Sequence, residues 1–206
     1  MCSPIASTTH GALALSDQRS ITQLVQAVSE GEPKAWDHLI PLVYAELKRI
    51  ASRQLRRGGN AAGMQTTALV HSLYERLLAS GMQAESRHHF YALCAKAMRH
   101  HLIDLARRHS AQKRGGMDLH LSLQDRDIPA PDNDAALLKL GGFLERIEAE
   151  DPRAVHVFER IYLVGQEPKE VAEELNVSLR TVQRDVKRVR ALFLYELECE
   201  SDASSQ

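Results

Sequence analysis

The most constraining feature of the sequence is a stretch near its C-terminus that predicts two helices joined by a tight turn. This stretch, residues 168–198, reads PKEVAEELNVSLRTVQRDVKRVRALFLYELE. Pro168 suits the first position of a helix, because a backbone N–H there has no partner to lose. Asn176 falls where the chain must reverse, and Asn tolerates the left-handed conformation that such a turn needs. Ser178 can then cap the second helix with its hydroxyl.

The second of these helices is predicted to have one apolar face and one basic face. The apolar residues recur at spacings of four, three and four, the pattern of a helix that packs on a core. They are Val182, Val186, Val189 and Phe193. The opposite face carries Arg180, Arg184 and Lys187, with Arg188 and Arg190 on its flanks. This arrangement matches a helix-turn-helix that enters the major groove of DNA, and the alternative is a helical hairpin with a solvated charged face.

Length and composition limit what the chain can be. Its 206 residues suffice for one large or two small domains. No run approaches the roughly 20 apolar residues that cross a bilayer, and the first residues lack the pattern of a signal peptide. Cys2, Cys94 and Cys199 are odd in number and far apart, which predicts neither a disulfide framework nor a zinc site. These features together indicate a cytoplasmic location.

The charge is nearly balanced overall but is unevenly distributed. Residues 20–115 contain 14 Lys and Arg against 7 Asp and Glu, whereas residues 132–199 contain 10 against 14. The basic first part indicates a polyanionic partner. The acidic second part concentrates its positive charge on the helix that follows Ser178. The alternative is that the solvated faces of the two parts merely differ in composition. That would explain the charge totals but not the concentration of positive charge on one helix.

The chain is predicted to be all-α, with two small helical domains joined by a flexible acidic linker. No strand pattern competes, and the C-terminal domain contains the helix-turn-helix. The predicted bounds are a disordered leader (1–19), a first domain (20–115), a linker (116–131), a second domain (132–199) and a disordered tail (200–206). The linker lacks a sustained period and is rich in Asp. Pro41 is predicted to kink or break the second helix of the first domain.

A helix predicted at about residues 87–109 has two distinct faces. Its core stripe comprises Tyr91, Cys94, Met98, Leu102 and Leu105. The opposite arc carries Lys96, Arg99, His100, Ile103 and Arg107. A helix with one buried and one basic face could follow a phosphate backbone. The alternative is an ordinary surface helix whose basic end is favoured by the helix dipole.

Three segments in this order resemble the bacterial extracytoplasmic-function (ECF) sigma factors. HFYALCAKAMRHHLIDLARRHSAQKRGG looks like their promoter-melting helix, and TALVHSLYERLL upstream of it looks like their polymerase-binding helix. FERIYLVGQEPKEVAEELNVSLRTVQRDVKRVRALF resembles their C-terminal promoter-reading domain. The resemblance covers roughly residues 20–198, and three segments in the right order make it far more specific than any one of them.

The resemblance implies three sets of contact residues. Those implied to bind the polymerase are Leu69, Val70, Leu73, Glu75, Arg76 and Leu77. Those implied to hold the melted minus-ten element are Lys96, Arg99, His100, Arg107 and Arg108. Those implied to contact the minus-thirty-five element are Arg180, Thr181, Gln183, Arg184, Lys187 and Arg188. Arg can bond guanine and Gln adenine in bidentate fashion, so the first four are expected at base edges and the last two at phosphates.

The resemblance also implies the partners and the mode of action. A member of this family binds core RNA polymerase, through the clamp helices of the largest subunit and the flap, and promoter DNA. It works as a monomer within the holoenzyme, without enzymatic activity, cofactor, metal or membrane insertion, and its linker threads the polymerase cleft. An anti-sigma factor is a further candidate partner.

The sequence departs from the family pattern at five positions. Ala68, His71 and Ser72 replace an acidic residue and Gln-Glu on the polymerase-binding helix. His100 stands where an Asn is usual, and Asn176 stands at the turn where a Gly is usual. These departures resemble a divergent branch, and they bear on the clamp contacts and on contacts to the melted strand.

Two other functions remain open at the level of sequence. A free-standing helix-turn-helix regulator would explain the C-terminal domain but would leave the basic helix and the polymerase-binding helix unassigned. A metal-dependent enzyme could use His100 or His101 with Asp104, which lie at helical spacings able to hold an ion. Metal analysis of the purified protein would test the second reading.

Overall fold

The chain folds into α-helices, and no strand occurs in the ranges that can be described. The computed structural model describes residues 21–32, 34–57, 64–114 and 133–203. The first helices are α1 (21–29), α2 (Ala35–Arg57), α3 (Thr66–Ser80) and α4 (Arg87–Arg114). The second group is α5 (Asn133–Glu150), α6 (Pro152–Glu159), a π-helical turn (Arg160–Val164), α7 (Pro168–Glu174) and α8 (Leu179–Ala203). The all-α prediction is therefore confirmed, while the predicted leader, linker and end of the tail lie outside the described residues.

Helices α1 to α4, called here the N-terminal half, pack around one apolar core. Val25, Leu39, Leu73 and Met98 are examples from the four helices, and each is almost fully buried. The predicted core stripe of α4 is confirmed for four members, whereas Leu105 is only partly buried. This core fixes the faces that α3 and α4 present to their surroundings.

The proline inside α2 does not end the helix. Pro41 lies in its second turn, and α2 runs without interruption from Ala35 to Arg57. A proline removes one backbone hydrogen bond from a helix interior. Burial of Leu39 and Val43 on either side of Pro41 offsets that loss, so the predicted break was wrong.

Helices α5 to α8, called here the C-terminal half, form two smaller apolar clusters. The first is built on Phe143, Leu144 and Val155, with Val189 from α8. The second joins α6, α7 and α8 through Val157, Val171 and Val182. The apolar stripe predicted for α8 is confirmed, because all four of its members contribute to these clusters. Its opposite face is thereby turned away from the core.

The junction between α7 and α8 has the geometry that its residues predict. Asn176 adopts a positive φ of 52°, and the backbone N–H of Thr181 donates to Ser178 Oγ at 3.1 Å. An N-cap of this kind stabilises a helix by about 1 kcal/mol. Asp151 caps α6 in the same way, accepting from the N–H of Ala154 at 3.1 Å. The start and direction of α8 are therefore fixed by local interactions.

The two halves pack against each other and share buried surface. Leu137 of α5 and Leu163 and Val164 of the π-helical turn join the core of the N-terminal half. Ile103, predicted on the basic arc of α4, is 1% exposed. A Cβ built on Gly141 would lie 2.6 Å from Ile103 Cδ1, so α5 approaches α4 so closely that a side chain at position 141 would require Ile103 to shift. The two halves can share this packing because α4 carries apolar residues on both of its faces.

Candidate nucleic-acid and partner interfaces

The outer face of α8 presents a row of exposed polar and basic side chains. This reading face consists of Arg180, Thr181, Gln183, Arg184, Lys187 and Arg188. All but Thr181 are exposed, and the Thr181 hydroxyl lies 2.8 Å from Ser178 Oγ, so it belongs to the helix cap. The predicted residues are thus on one accessible surface, with five of the six side chains turned to solvent.

A buried carboxylate, missed in the sequence, anchors this helix. Asp185 is 3% exposed and accepts a hydrogen bond from Arg153 Nε of α6 at 3.0 Å. Arg188 reaches Asp151 at 2.8 Å, whereas Arg184 keeps 69% of its side chain exposed. The position of Asp185 between Val182 and Val189 on the inner face was the available signal. An acidic residue there needs a basic partner when it is buried.

The basic face of α4 is covered in part by the C-terminal half. This face consists of the predicted minus-ten residues, Lys96, Arg99, His100, Arg107 and Arg108. Arg99 is only 2% exposed, and its Nη2 lies 2.6 Å from Glu159 Oε1 of α6. A direct contact of Arg99 with DNA, as predicted, is incompatible with this arrangement, because the packing of α6 removes the side chain from solvent.

The other members of the basic face vary in accessibility. Lys96 forms an ion pair with Glu148 of α5, and Arg107 Nη2 lies 3.8 Å from Glu145. His100 is partly buried, and this burial, with nearby Arg99 and Lys96, lowers its pKa. Arg108 is exposed. Acidic side chains of α5 therefore occupy part of the surface that was predicted to follow DNA phosphates.

Four of the six residues predicted to bind polymerase belong to the core of the N-terminal half. They are Leu69, Val70, Leu73 and Leu77, none more than 5% exposed. They offer a partner little surface in this structure, because α3 uses this arc to pack on α2 and α4, although Val70, Leu73 and Leu77 also line a groove between α2 and α3. Glu75 is exposed and Arg76 is partly exposed, so both remain accessible.

A different stripe of α3 faces solvent. It consists of Ala68, His71, Glu75 and Leu78, called here the exposed α3 stripe. Leu78 is 50% exposed, an unusual position for a large apolar side chain. The stripe borders an apolar groove of about 510 Å³ between α2 and α3, lined in part by Tyr44 and Tyr74. The spacing of three, four and three residues opposite the buried arc was the signal that could have identified it.

Of the residues suggested for a metal site, Asp104 has basic partners. The Asp104 carboxylate accepts a hydrogen bond from Arg76 Nη2 at 3.1 Å and lies 3.9 Å from Arg107 Nη1. Within the described ranges no group of three or more His, Cys, Asp or Glu side chains is arranged to hold a metal ion. Asp104 thus links α3 to α4.

Four partly buried histidines are expected to make the stability of the protein depend on pH. Burial lowers the pKa of His156 from 6.5 to about 4, and burial also lowers the pKa values of His88, His100 and His101. Between pH 6.5 and about 4 the unfolded chain therefore binds more protons, so the free energy of unfolding should fall as the pH drops. Burial raises the pKa of Glu159, which opposes this trend but involves one group against four.

We expect the melting temperature to decrease from pH 7 to pH 5, and to decrease less in the His156→Gln variant. Thermal unfolding followed by circular dichroism at a series of pH values would measure both slopes. Equal slopes in the two proteins would exclude His156 as a source of the acid sensitivity.

Comparison with known proteins identifies a family for this chain. A family model described as ECF sigma factor matches residues 18–199. Searches of curated proteins and of solved structures found no match. No helix in the described part of the chain is long and apolar enough to cross a membrane. The match covers both halves and all three predicted contact sets, and the chain belongs to the ECF sigma factor family.

Proposed function

We propose that this protein binds core RNA polymerase in the cytoplasm and directs it to promoters by contacting two promoter elements. Members of its family are transcription initiation factors, which supports a role with polymerase and DNA. The finer assignment rests on the surfaces that the helices expose. The observation that carries it is the reading face of α8, a row of exposed basic and amide side chains on a capped and packed helix.

The reading face would contact the minus-thirty-five element in the major groove. Arg180, Gln183 and Arg184 lie in the first turns of α8, the part of such a helix that reaches base edges. Lys187 and Arg188 lie farther along and suit phosphates, which position a helix without reading sequence. Because Asp185 and the apolar stripe hold α8 on α6, its side chains are presented on a rigid element.

The exposed α3 stripe would contact the clamp helices of the largest polymerase subunit. Leu78 offers apolar area, and Glu75 and Arg76 offer charges of both signs at its edge. The four leucine and valine side chains first predicted for this contact would support it from below, by fixing α3 on the core. An apolar anchor surrounded by polar groups is the usual composition of a protein interface.

The basic face of α4 would hold the melted minus-ten strand. Melting a duplex costs stacking energy, and cationic side chains along the phosphates together with stacked bases repay part of it. Arg107 and Arg108 are already accessible on the described surface. Lys96, Arg99 and His100 would join them when the C-terminal half moves aside.

The polymerase contact can be tested with matched leucine variants. Leu78→Asp should weaken association with core polymerase at least about tenfold, because a buried apolar anchor at an interface contributes 1 kcal/mol or more. Leu42→Asp is the control, since Leu42 of α2 is 45% exposed and does not line the groove. Both proteins should keep the helical circular dichroism of the wild type. Equal binding of the two variants to polymerase would contradict the assignment of the exposed α3 stripe.

A further inference from the structure

The buried carboxylate of α8 is shared between two arginines. Asp185 Oδ2 accepts a hydrogen bond from Arg153 Nε of α6 at 3.0 Å, and Asp185 Oδ1 lies 3.6 Å from Arg184 Nε. Asp185 is almost fully buried, whereas Arg184 is exposed. Water screens an ion pair less when one of its partners is withdrawn from solvent. Asp185 therefore connects the inner side of α8 with a side chain of its reading face.

The three arginines of the reading face differ in how the C-terminal half holds them. Arg184 is held by Asp185, which is itself hydrogen-bonded to α6. Arg188 is held directly by α6, because its Nη1 lies 2.8 Å from Asp151 Oδ2. Arg180 is exposed and has no ion-pair partner among the described residues. The side chain of Arg180 therefore keeps a rotational freedom that the side chains of Arg184 and Arg188 lack.

An arginine that is restrained before binding is better suited to select a base. A long basic side chain loses conformational freedom when it binds, and a side chain that is already restrained loses less. Arginine reads guanine with two parallel N–H donors, so its selectivity depends on the direction of its planar group. The contact of Arg184 Nε with Asp185 restricts that direction and leaves the two Nη groups for a base. A carboxylate near DNA also repels phosphates, so Asp185 lowers the affinity for every sequence while it raises selectivity.

We propose that Asp185 is a positioning residue that orients the Arg184 guanidinium toward a guanine of the minus-thirty-five element. This inference rests on the proposed function of the reading face. Arg184 makes the base contact, and Asp185 acts only through Arg184, because its own side chain is buried. The base pair opposite Arg184 is therefore read more stringently than the base pair opposite Arg180, which has no such neighbour.

Asp185→Asn tests this role, and Asp185→Glu is its counterpart. Asparagine keeps the volume of the side chain and an oxygen that accepts from Arg153, but it removes the charge. Glutamate keeps the charge but adds a methylene group at a packed position.

The measurement is binding of the holoenzyme to a promoter found by mapping transcript starts. Each base pair of its minus-thirty-five element would be replaced in turn, and binding would be measured for the wild type and for each variant. Arg184→Ala and Arg180→Ala would identify the base pair that each arginine reads. Thermal unfolding followed by circular dichroism would check that every variant folds.

Asp185→Asn should lower the preference for guanine at the base pair read by Arg184 about fivefold or more. It should leave the preference at the base pair read by Arg180 unchanged, and it should bind unrelated DNA as well as the wild type or better. Asp185→Glu should keep more of the guanine preference than Asp185→Asn, whereas a residue that served packing alone would tolerate asparagine better. In the Arg184→Ala background, Asp185→Asn should have no further effect on the preference.

An unchanged guanine preference in Asp185→Asn, or an equal loss at every base pair, would overturn the proposal. A folded Asp185→Glu protein that lost as much preference as Arg184→Ala would also overturn it, and this arm does not depend on the folding of Asp185→Asn. If Arg184→Ala changed no base preference, the reading role of Arg184 would fail and the positioning role with it. Binding to core polymerase, measured separately, would show whether the rest of the proposed function survives.

Discussion

Replacement of Arg180 and Arg184 together by alanine should lower the affinity of the holoenzyme for its promoter at least about 30-fold. Each arginine placed at a base edge contributes roughly 1–3 kcal/mol, and loss of two such contacts adds when the positions are independent. Both side chains are exposed on the first turns of α8, so the substitutions remove contacts without disturbing the core. Footprinting of the promoter at fixed salt would measure the loss.

The control for this prediction removes the same charge from other exposed positions of α7 and α8. Lys169→Ala with Arg190→Ala leaves the first turns of α8 intact, and both residues are exposed. This variant should lose a similar amount of affinity for promoter DNA and for other DNA, and it should therefore keep its preference for the promoter. If both double variants lost promoter preference equally, base reading by Arg180 and Arg184 would be contradicted.

Removal of the buried carboxylate at position 159 should have the largest effect on the arrangement of the two halves. Glu159→Ala leaves the Arg99 guanidinium buried without its partner, a change that costs about 3–5 kcal/mol in proteins. Since Arg99 and Glu159 lie on opposite sides of the boundary, separation of the halves is the least costly way to rehydrate Arg99. This separation should lower the energy transfer between fluorophores attached to Cys199 and to a cysteine introduced at Glu30, in a Cys2→Ser background.

An apolar replacement of both partners provides the control. Arg99→Met with Glu159→Leu removes the two charges and leaves side chains that can fill the same space. The halves should then remain closed, with energy transfer equal to that of the wild type or higher. If Glu159→Ala kept full energy transfer, the buried ion pair would not hold the halves together in solution.

Helices α7 and α8 could be predicted because their signals are local. Asn176 and Ser178 encode the turn and the cap, and the stripe from Val182 to Phe193 encodes the buried face. Each of these features depends on neighbouring residues or on helical periodicity alone. The structure therefore reproduces the predicted helices, and the reading face follows as the surface opposite the stripe.

The predicted contacts of α3 show what helical periodicity alone cannot predict. When a helix has apolar residues on two arcs, its sequence does not indicate which arc packs on the core of its own domain. The packing of α2 and α4 decides that Leu73 is buried and Leu78 is exposed. That choice depends on contacts between helices distant in sequence.

A similar ambiguity limits the prediction of what the basic face of α4 contacts. The excess of positive charge in the first part of the chain was interpreted as the mark of a polyanionic partner. In the structure the acidic C-terminal half meets part of that charge within the molecule, through residues such as Glu145 and Glu148. Composition gives the sign of the charge on a surface, but it does not show whether the partner of that charge is an external polyanion or an acidic part of the same chain. The absence of a side chain at Gly141 permits the close packing of α5 on α4, but a lone glycine in a sequence does not say which helix it approaches.

Mapping of transcript start sites is the most direct test of the central claim, that this chain gives core RNA polymerase its promoter specificity. Purified protein, core polymerase and genomic DNA would be combined, and the starts would be compared with those from core polymerase alone. We expect a discrete set of new starts that share two upstream elements, and we expect these starts to be lost with the Arg180→Ala, Arg184→Ala double variant. A set of starts no different from that of core polymerase alone would contradict the claim.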